Sequence, residues 1–210
     1  QVVDGAQHQH IGLHGAHDQF LLVGGELRLG LLAELLALLE EENKVEQIKS
    51  FDCLKMTRHE ANEVYSTIDP QDKHIIKHLC KTDLFYLLTK ACNRRDIDHD
   101  WLYARCREIQ SNPDGHLDLW AREHYKSTLI TFGKTIQDIL CDPEITFGIF
   151  SHTRPIAKGF LEQIKREFEG NQLLKDLFPE ILYQNPAAES PKWSLDGGII
   201  VKRRTNPKEA

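Results

Sequence analysis

One break in the chain constrains the fold more than any other feature. At Ser111-Asn112-Pro113-Asp114-Gly115 the turn-forming residues cluster, and the hydrophobic period changes across them. Before the break, apolar residues recur at helical spacing. Thr57-Arg-His-Glu60 has the Ser/Thr-x-x-Glu pattern of a capping box, and Asp69-Pro70 reads as an N-cap with proline at the first helical position, opening a helix to about Lys81. Asp83 to Cys92 and His99 to Gln110 continue the pattern. Further upstream, Leu29 to Ile48 is leucine-rich and helical in pattern.

After the break the periods alternate. His116-Leu-Asp-Leu-Trp120 reads as a strand and Ser127 to Leu140 as a helix. Ile145-Thr-Phe-Gly-Ile-Phe150 has the length of a buried strand, and Pro155 to Glu169 is amphipathic, with Ile156, Phe160, Ile164 and Phe168 spaced by four. Strand, helix, strand, helix is the pattern of a βαβ unit, so the expected fold is α/β, a parallel sheet flanked by helices and preceded by a small helical subdomain. Asp196-Gly197, between β-prone stretches, predicts a hairpin within Lys192 to Arg204. The expected organisation is an N-terminal extension over 1–55, a helical subdomain over 56–112 and an α/β domain, in part, over 113–210. Met56, the one methionine, is read either as the natural start or as a residue following an ordinary extension.

Charge narrows the function. Net charge is −6, against a simple electrostatic DNA-binding domain. From His116 onward 13 Lys and Arg face 13 Asp and Glu; of the 26 and 32 in the whole chain, 13 and 19 remain before it, so the acidic excess lies in the first part. The longest apolar run, Gly30 to Leu39, contains Glu34 and is too short to span a bilayer. Five cysteines without a CxxC pair read as reduced thiols.

The chemistry concentrates in Trp120-Ala-Arg-Glu-His-Tyr-Lys126-Ser127-Thr128. A phosphate-binding loop needs a strand, a turn with inward-facing N–H groups, then Lys and Ser or Thr at a helix start. The Lys reaches phosphate oxygens and the hydroxyl ligates Mg²⁺. Lys126 and Ser127 stand in that position, but the two glycines of the usual pattern fall on Trp120 and Tyr125. The alternative is a Lys126 that faces solvent at a helix N-terminus, where a cation opposes the helix dipole. His74 and His78, one turn apart near Cys80, lack a second ligand pair for zinc.

The segments HLDLWAREHYKSTLITFGKTIQDIL, DPEITFGIFSHTRPIAKGFLEQIKREFEGN and LFPEILY…PKWSLDGGIIVKR, in this order, resemble the start of the ATPase domain of tailed-phage terminase large subunits. The resemblance spans roughly Met56 to Ala210. It implies ATP and Mg²⁺ as cofactors, with Lys126 on the β and γ phosphates, Ser127 on Mg²⁺, Thr128 as a reserve hydroxyl and Arg122 as a loop arginine sensing the γ-phosphate. Glu123, His124 and Tyr125 would supply loop backbone, and Gln110 an adenine contact. It further implies double-stranded DNA, a portal protein and a small terminase subunit as partners, a homo-oligomeric ring for the full-length protein, and the host cytoplasm as location. No acidic pair ends Ile145–Phe150, so the chain alone is expected to hydrolyse ATP poorly or not at all. Ser151-His-Thr-Arg154 and Lys202-Arg203-Arg204 are expected as polar turn and strand end, or as surfaces near DNA. Two other readings stand beside this one: a helical protein-interaction module without nucleotide, and another P-loop phosphotransferase.

Overall fold

The computed structural model describes residues 55–205 except 113, 114 and 116. The helix expected over Leu29–Ile48 lies outside the described residues.

Helix α1 (Arg58–Thr67) starts as the sequence predicts. The Thr57 hydroxyl accepts from the Glu60 N–H, and the Glu60 carboxylate accepts from the Thr57 N–H at 2.8 Å. Ala61 and Tyr65, four residues apart, are its buried face. Helix α2 (Lys73–Thr82) begins three residues later than Asp69-Pro70 suggests. Asp69 instead closes a turn, accepting from the N–H groups of Gln71 and Asp72, and Asp72 caps the helix through the Ile75 N–H. An Asx turn satisfied Asp69 locally and moved the helix start to the next aspartate.

Asp83, 1% exposed, caps the short helix α3 (Leu84–Tyr86), which runs directly into a π-helical segment, Leu87–Ala91. A 3₁₀ turn (Arg95–Ile97) leads to α4 (Asp100–Ser111). Beyond the break, a second π-helical segment, Thr128–Lys134, passes into α5 (Thr135–Cys141). Helix α6 (Arg154–Gly170) buries Ile164 and Phe168 of its apolar stripe and leaves Ile156 at the outer end 41% exposed. Short helices α7 (Gln172–Leu177) and α8 (Pro186–Glu189) precede a hairpin of β1 (Trp193–Ser194) and β2 (Gly198–Ile199), paired antiparallel with Trp193 opposite Ile199. Gly198, at φ +93°, takes a conformation that side chains disfavour, and the hairpin expected at Asp196-Gly197 forms around it.

The parallel sheet expected after the break is absent among the described residues, where this hairpin is the one sheet. The described residues are mostly helical, and the P-loop NTPase-like α/β class is corrected accordingly. The reason lies in the backbone. Residues 117–120 and 145–150, read as strands from the sequence, form none: among the described residues neither segment exchanges ladder hydrogen bonds with another. Leu117 and Leu119 are each 82% exposed, so no helical layer covers them. The helical run from Lys126 to Cys141 buries its apolar face against other helices. Gln137 Nε2 donates to the Cys80 carbonyl at 3.4 Å, and Gly133 sits against the Leu88 side chain.

One hydrophobic cluster runs through the described residues, from Ala61 and Tyr65 through Phe85, Leu88, Leu129 and Ile136 to Phe168, Phe178 and Leu182. Polar ties brace it. Asn171 caps α7 and donates Nδ2 to the Ala91 carbonyl at 2.7 Å. Lys175, 6% exposed, donates to the carbonyls of Glu169 and Gln184, so its buried ammonium is satisfied by the ends of two segments. Trp193 Nε1 donates to Glu169 Oε1 at 2.8 Å and ties the hairpin to α6.

Cys80, Cys92 and Cys106 are buried, and Cys141 is exposed. Burial pushes the thiols of Cys80 and Cys106 up to about 12 and that of Cys92 well above its usual value. In a Cys53→Ser background, a thiol reagent at mildly alkaline pH is expected to label Cys141 first, with the other three protected until denaturant is added. Equal labelling of all four in the native protein would contradict this packing.

Candidate functional site

The loop that the sequence singles out joins residues 117–120 to the long helical run. Lys126 and Ser127 form its first helical turn, and the Leu129 N–H donates to the Tyr125 carbonyl at 2.9 Å to close it. Two residues just before, Glu123 (φ +66°) and Tyr125 (φ +59°), are left-handed without being glycine. Such conformations are uncommon for bulky side chains, and they cluster where a loop must present its backbone to a ligand. Left-handed residues between right-handed ones turn successive N–H groups toward one side, the geometry of an anion-holding nest. The Tyr125 side chain therefore takes the position that glycine holds in the usual pattern by accepting a positive φ.

Arg122, Glu123 and His124 are exposed; Tyr125, Lys126, Ser127 and Thr128 are half-buried. His124 Nδ1 lies 2.7 Å from the Arg122 carbonyl, folding the loop over itself. Lys126 Nζ reaches back 3.4 Å to the Asp118 carbonyl, a long contact that holds the ammonium beside residues 117–120. Ser127 makes no side-chain capping bond, leaving its hydroxyl uncommitted to the helix start. The six contiguous residues from Arg122 to Ser127, followed by Thr128, thus sit together as the sequence places them.

Gln110 does not join them through any contact. Its Oε1 accepts from the Leu84 N–H at 3.1 Å and from Arg107 Nη1 at 3.2 Å, and its Nε2 donates to the Thr82 carbonyl at 2.7 Å. The amide is spent on the turn between α2 and α3.

An aromatic shelf adjoins the loop, and the sequence pattern left most of it unmarked. Trp101, on α4, is 43% exposed. Its ring meets Trp120 edge-on at 6.3 Å and lies 5.9 Å from the His124 ring. The Arg105 guanidinium stacks 4.6 Å from the Trp120 ring. Trp101 and Arg105 are four residues apart on α4, so helical spacing was the signal that could have paired them. Trp120 Nε1 is buried without an acceptor among the described residues, an arrangement that costs about 1–3 kcal/mol.

Elsewhere the expected surface cations are tied into the fold. Lys202 Nζ donates to the Pro179 carbonyl at 2.9 Å, Arg203 Nη2 donates to the Ile145 carbonyl at 2.8 Å, and the Arg204 N–H donates to Glu144. Thr153 caps α6 by its backbone alone, and Arg154 pairs with Asp196 at 2.8 Å. Among the described residues the Ser151–Arg154 turn adjoins no parallel sheet, which leaves it a polar turn before α6. Among the described residues no group of three or more His, Cys, Asp or Glu is placed to hold a metal ion, and no helix is long and apolar enough to cross a membrane.

No family model, curated protein or solved structure matches this chain.

Proposed function

We propose that the Arg122–Thr128 loop binds the phosphates of Mg²⁺-ATP, as part of a terminase-like motor that packages double-stranded viral DNA. The observation carrying this is local: two non-glycine residues in left-handed conformation immediately precede a lysine and a serine that open a long helical run. Helix N-termini with converging N–H groups favour anions, and Lys126 adds a full charge where a cation alone would oppose the dipole. Lys126 would contact the β and γ phosphates, Ser127 would ligate Mg²⁺ with Thr128 beside it, and the exposed Arg122 would face charge on the γ-phosphoryl oxygens. The reading rests on this loop and on the order of the segments that resemble terminase large subunits, and it does not include a parallel sheet. Double-stranded DNA, a portal protein, a small terminase subunit and a ring of copies belong to it through that resemblance. No acidic residue on Ile145–Phe150 is placed to activate water, so binding without efficient turnover is expected.

Titration of the chain with a fluorescent ATP analogue in Mg²⁺ tests the reading. Saturable binding should weaken by roughly ten- to a hundredfold in Lys126→Ala, the scale of losing a charge-assisted contact. Wild-type protein that binds no nucleotide, or a Lys126→Ala variant that binds as well, would sink it.

The helical architecture favours a second reading, a protein-interaction module in which the loop is only a connector. It requires the first of those two negative results.

A further inference from the structure

Between α5, α6, the hairpin and residues 145–149 the fold leaves a cavity of about 370 Å³, within the roughly 300–1,000 Å³ of small-molecule pockets. Its apolar walls include Ile139 of α5, Leu161 of α6, Ile199 of β2, and Phe147 and Ile149. Two further lining residues, Ile164 and Val201, belong to the buried core, so the cavity reaches it. Among the described residues, the charged groups that line it are all cations: Arg154, Lys158 and Arg203. Arg154 and Lys158 lie one turn apart on α6, and both pair with the exposed Asp196, which does not itself line the cavity. Arg203 Nη2 donates to the Ile145 carbonyl at 2.8 Å. Glu144, the carboxylate near Arg203, accepts from the N–H groups of Arg204 and Thr205 and from the Thr205 hydroxyl. No residue of the Arg122–Thr128 loop lines the cavity.

We infer that this cavity binds a small organic acid, one carboxylate on an apolar chain of medium length. The chain lies among Phe147, Ile149, Leu161 and Ile199, and the head sits on Arg154 and Lys158. The side chain of Arg154 is 74% exposed and that of Lys158 32%, which puts the charged end at the mouth and the apolar end toward the core. A guanidinium fork matches a carboxylate in shape as well as charge. Asp196 holds both cations when no ligand is present. An exposed ion pair is worth little, so a ligand carboxylate displaces it at small cost, and burial of the ligand's chain drives the exchange. Asp196 is thus a built-in competitor that keeps the two cations in place and sets the threshold for binding. A polyanion such as a nucleotide fits poorly, because its further charges would lose water against apolar walls.

The test is isothermal titration calorimetry of the full chain with octanoate. Saturable binding of one octanoate per chain is expected below its micelle concentration. The alcohol 1-octanol, with the same chain and no charge, should bind about tenfold more weakly. Lys158→Gln should weaken octanoate binding by about tenfold, the scale of one charge-assisted contact. Asp196→Asn should act in the opposite direction and tighten binding by roughly two- to fivefold, since the competitor loses its charge. Damaged folding cannot produce that gain, and circular dichroism and melting of both variants should match wild type. Lys126→Ala should bind octanoate as wild type does, which separates this cavity from the phosphate loop. A wild-type chain that takes up no octanoate overturns the inference. So does 1-octanol binding as tightly as octanoate, a folded Lys158→Gln variant that binds unchanged, or an Asp196→Asn variant that binds more weakly.

Discussion

Asp83→Ala is expected to destabilise the protein by about 3–5 kcal/mol, which is a large share of the stability of an ordinary domain. Asp83 is 1% exposed and does three things at once. It accepts from the Tyr86 N–H at 3.0 Å to start α3, from the Tyr65 hydroxyl, and from Arg107 Nη2 at 2.8 Å. The guanidinium of Arg107 also stacks 4.5 Å from the Tyr103 ring. Burial alone would lower the pKa of Arg107; the hydrogen bond and charge of Asp83 outweigh it and hold the guanidinium well above its ordinary value. Removing the carboxylate therefore leaves a buried cation with no counter-charge and an uncapped helix. Asp83→Asn keeps an acceptor for the Tyr86 N–H but loses the charge, so it should fall between wild type and alanine. Combining it with Arg107→Leu should recover part of the loss, because the stranded cation goes too. Urea unfolding measures all three. An Asp83→Ala loss under 1 kcal/mol, or strict additivity in the double mutant, would show that the ion pair is not buried as described.

Phe178→Ala should cost about 3–5 kcal/mol by a different route, a cavity. Phe178 is fully buried just after α7, where its N–H donates to the Leu174 carbonyl and its own carbonyl accepts from Ile181 and Leu182. Lys77 and Lys81 of α2 lie over its ring at 5.2 and 5.7 Å. The ring is thus the contact through which α2 meets the C-terminal part of the described chain, beside the Lys77–Glu180 ion pair at 2.5 Å. Phe178→Leu keeps most of the volume and loses the cation–π contacts, each worth about 0.5–1 kcal/mol at partly exposed sites, so it should be much milder. Thermal and urea unfolding of the pair separates volume from ring electrostatics. Equal losses would mean that the cavity is not what matters.

Local signals in the sequence were reliable where short-range chemistry decides. The Thr57–Glu60 box, the Asp83 and His99 helix starts, the four-residue stripe of α6 and the Asp196-Gly197 hairpin all depend on neighbours within a few positions. Proline at position 70 misled because Asp69 satisfied its own turn first. The parallel sheet was not legible, because periodicity reports that a residue run is extended and says nothing about whether a second run lies 5 Å away to pair with it. At the candidate loop the sequence offered Lys126-Ser127 after a turn, but the positive φ at Glu123 and Tyr125 was not legible, since nothing in those side chains asks for it. Gln110 shows the opposite failure. An amide before a phosphate loop suggested a base contact, yet its nearest demands were the open N–H of Leu84 and carbonyl of Thr82.

The π-helical stretch from Thr128 to Lys134 sets the angular phase of everything on either side of it. Each residue of an α-helix turns the chain by roughly 100°. A π turn closes one residue later, so it absorbs an extra residue without lengthening the path between its ends in proportion. The Lys126 end of the run is thereby rotated against the face that α5 presents to the core. The neighbouring π-helical segment, Leu87–Ala91, meets it where Leu88 rests on Gly133. The two irregular turns therefore meet at a point where any side chain in place of Gly133 would press into Leu88.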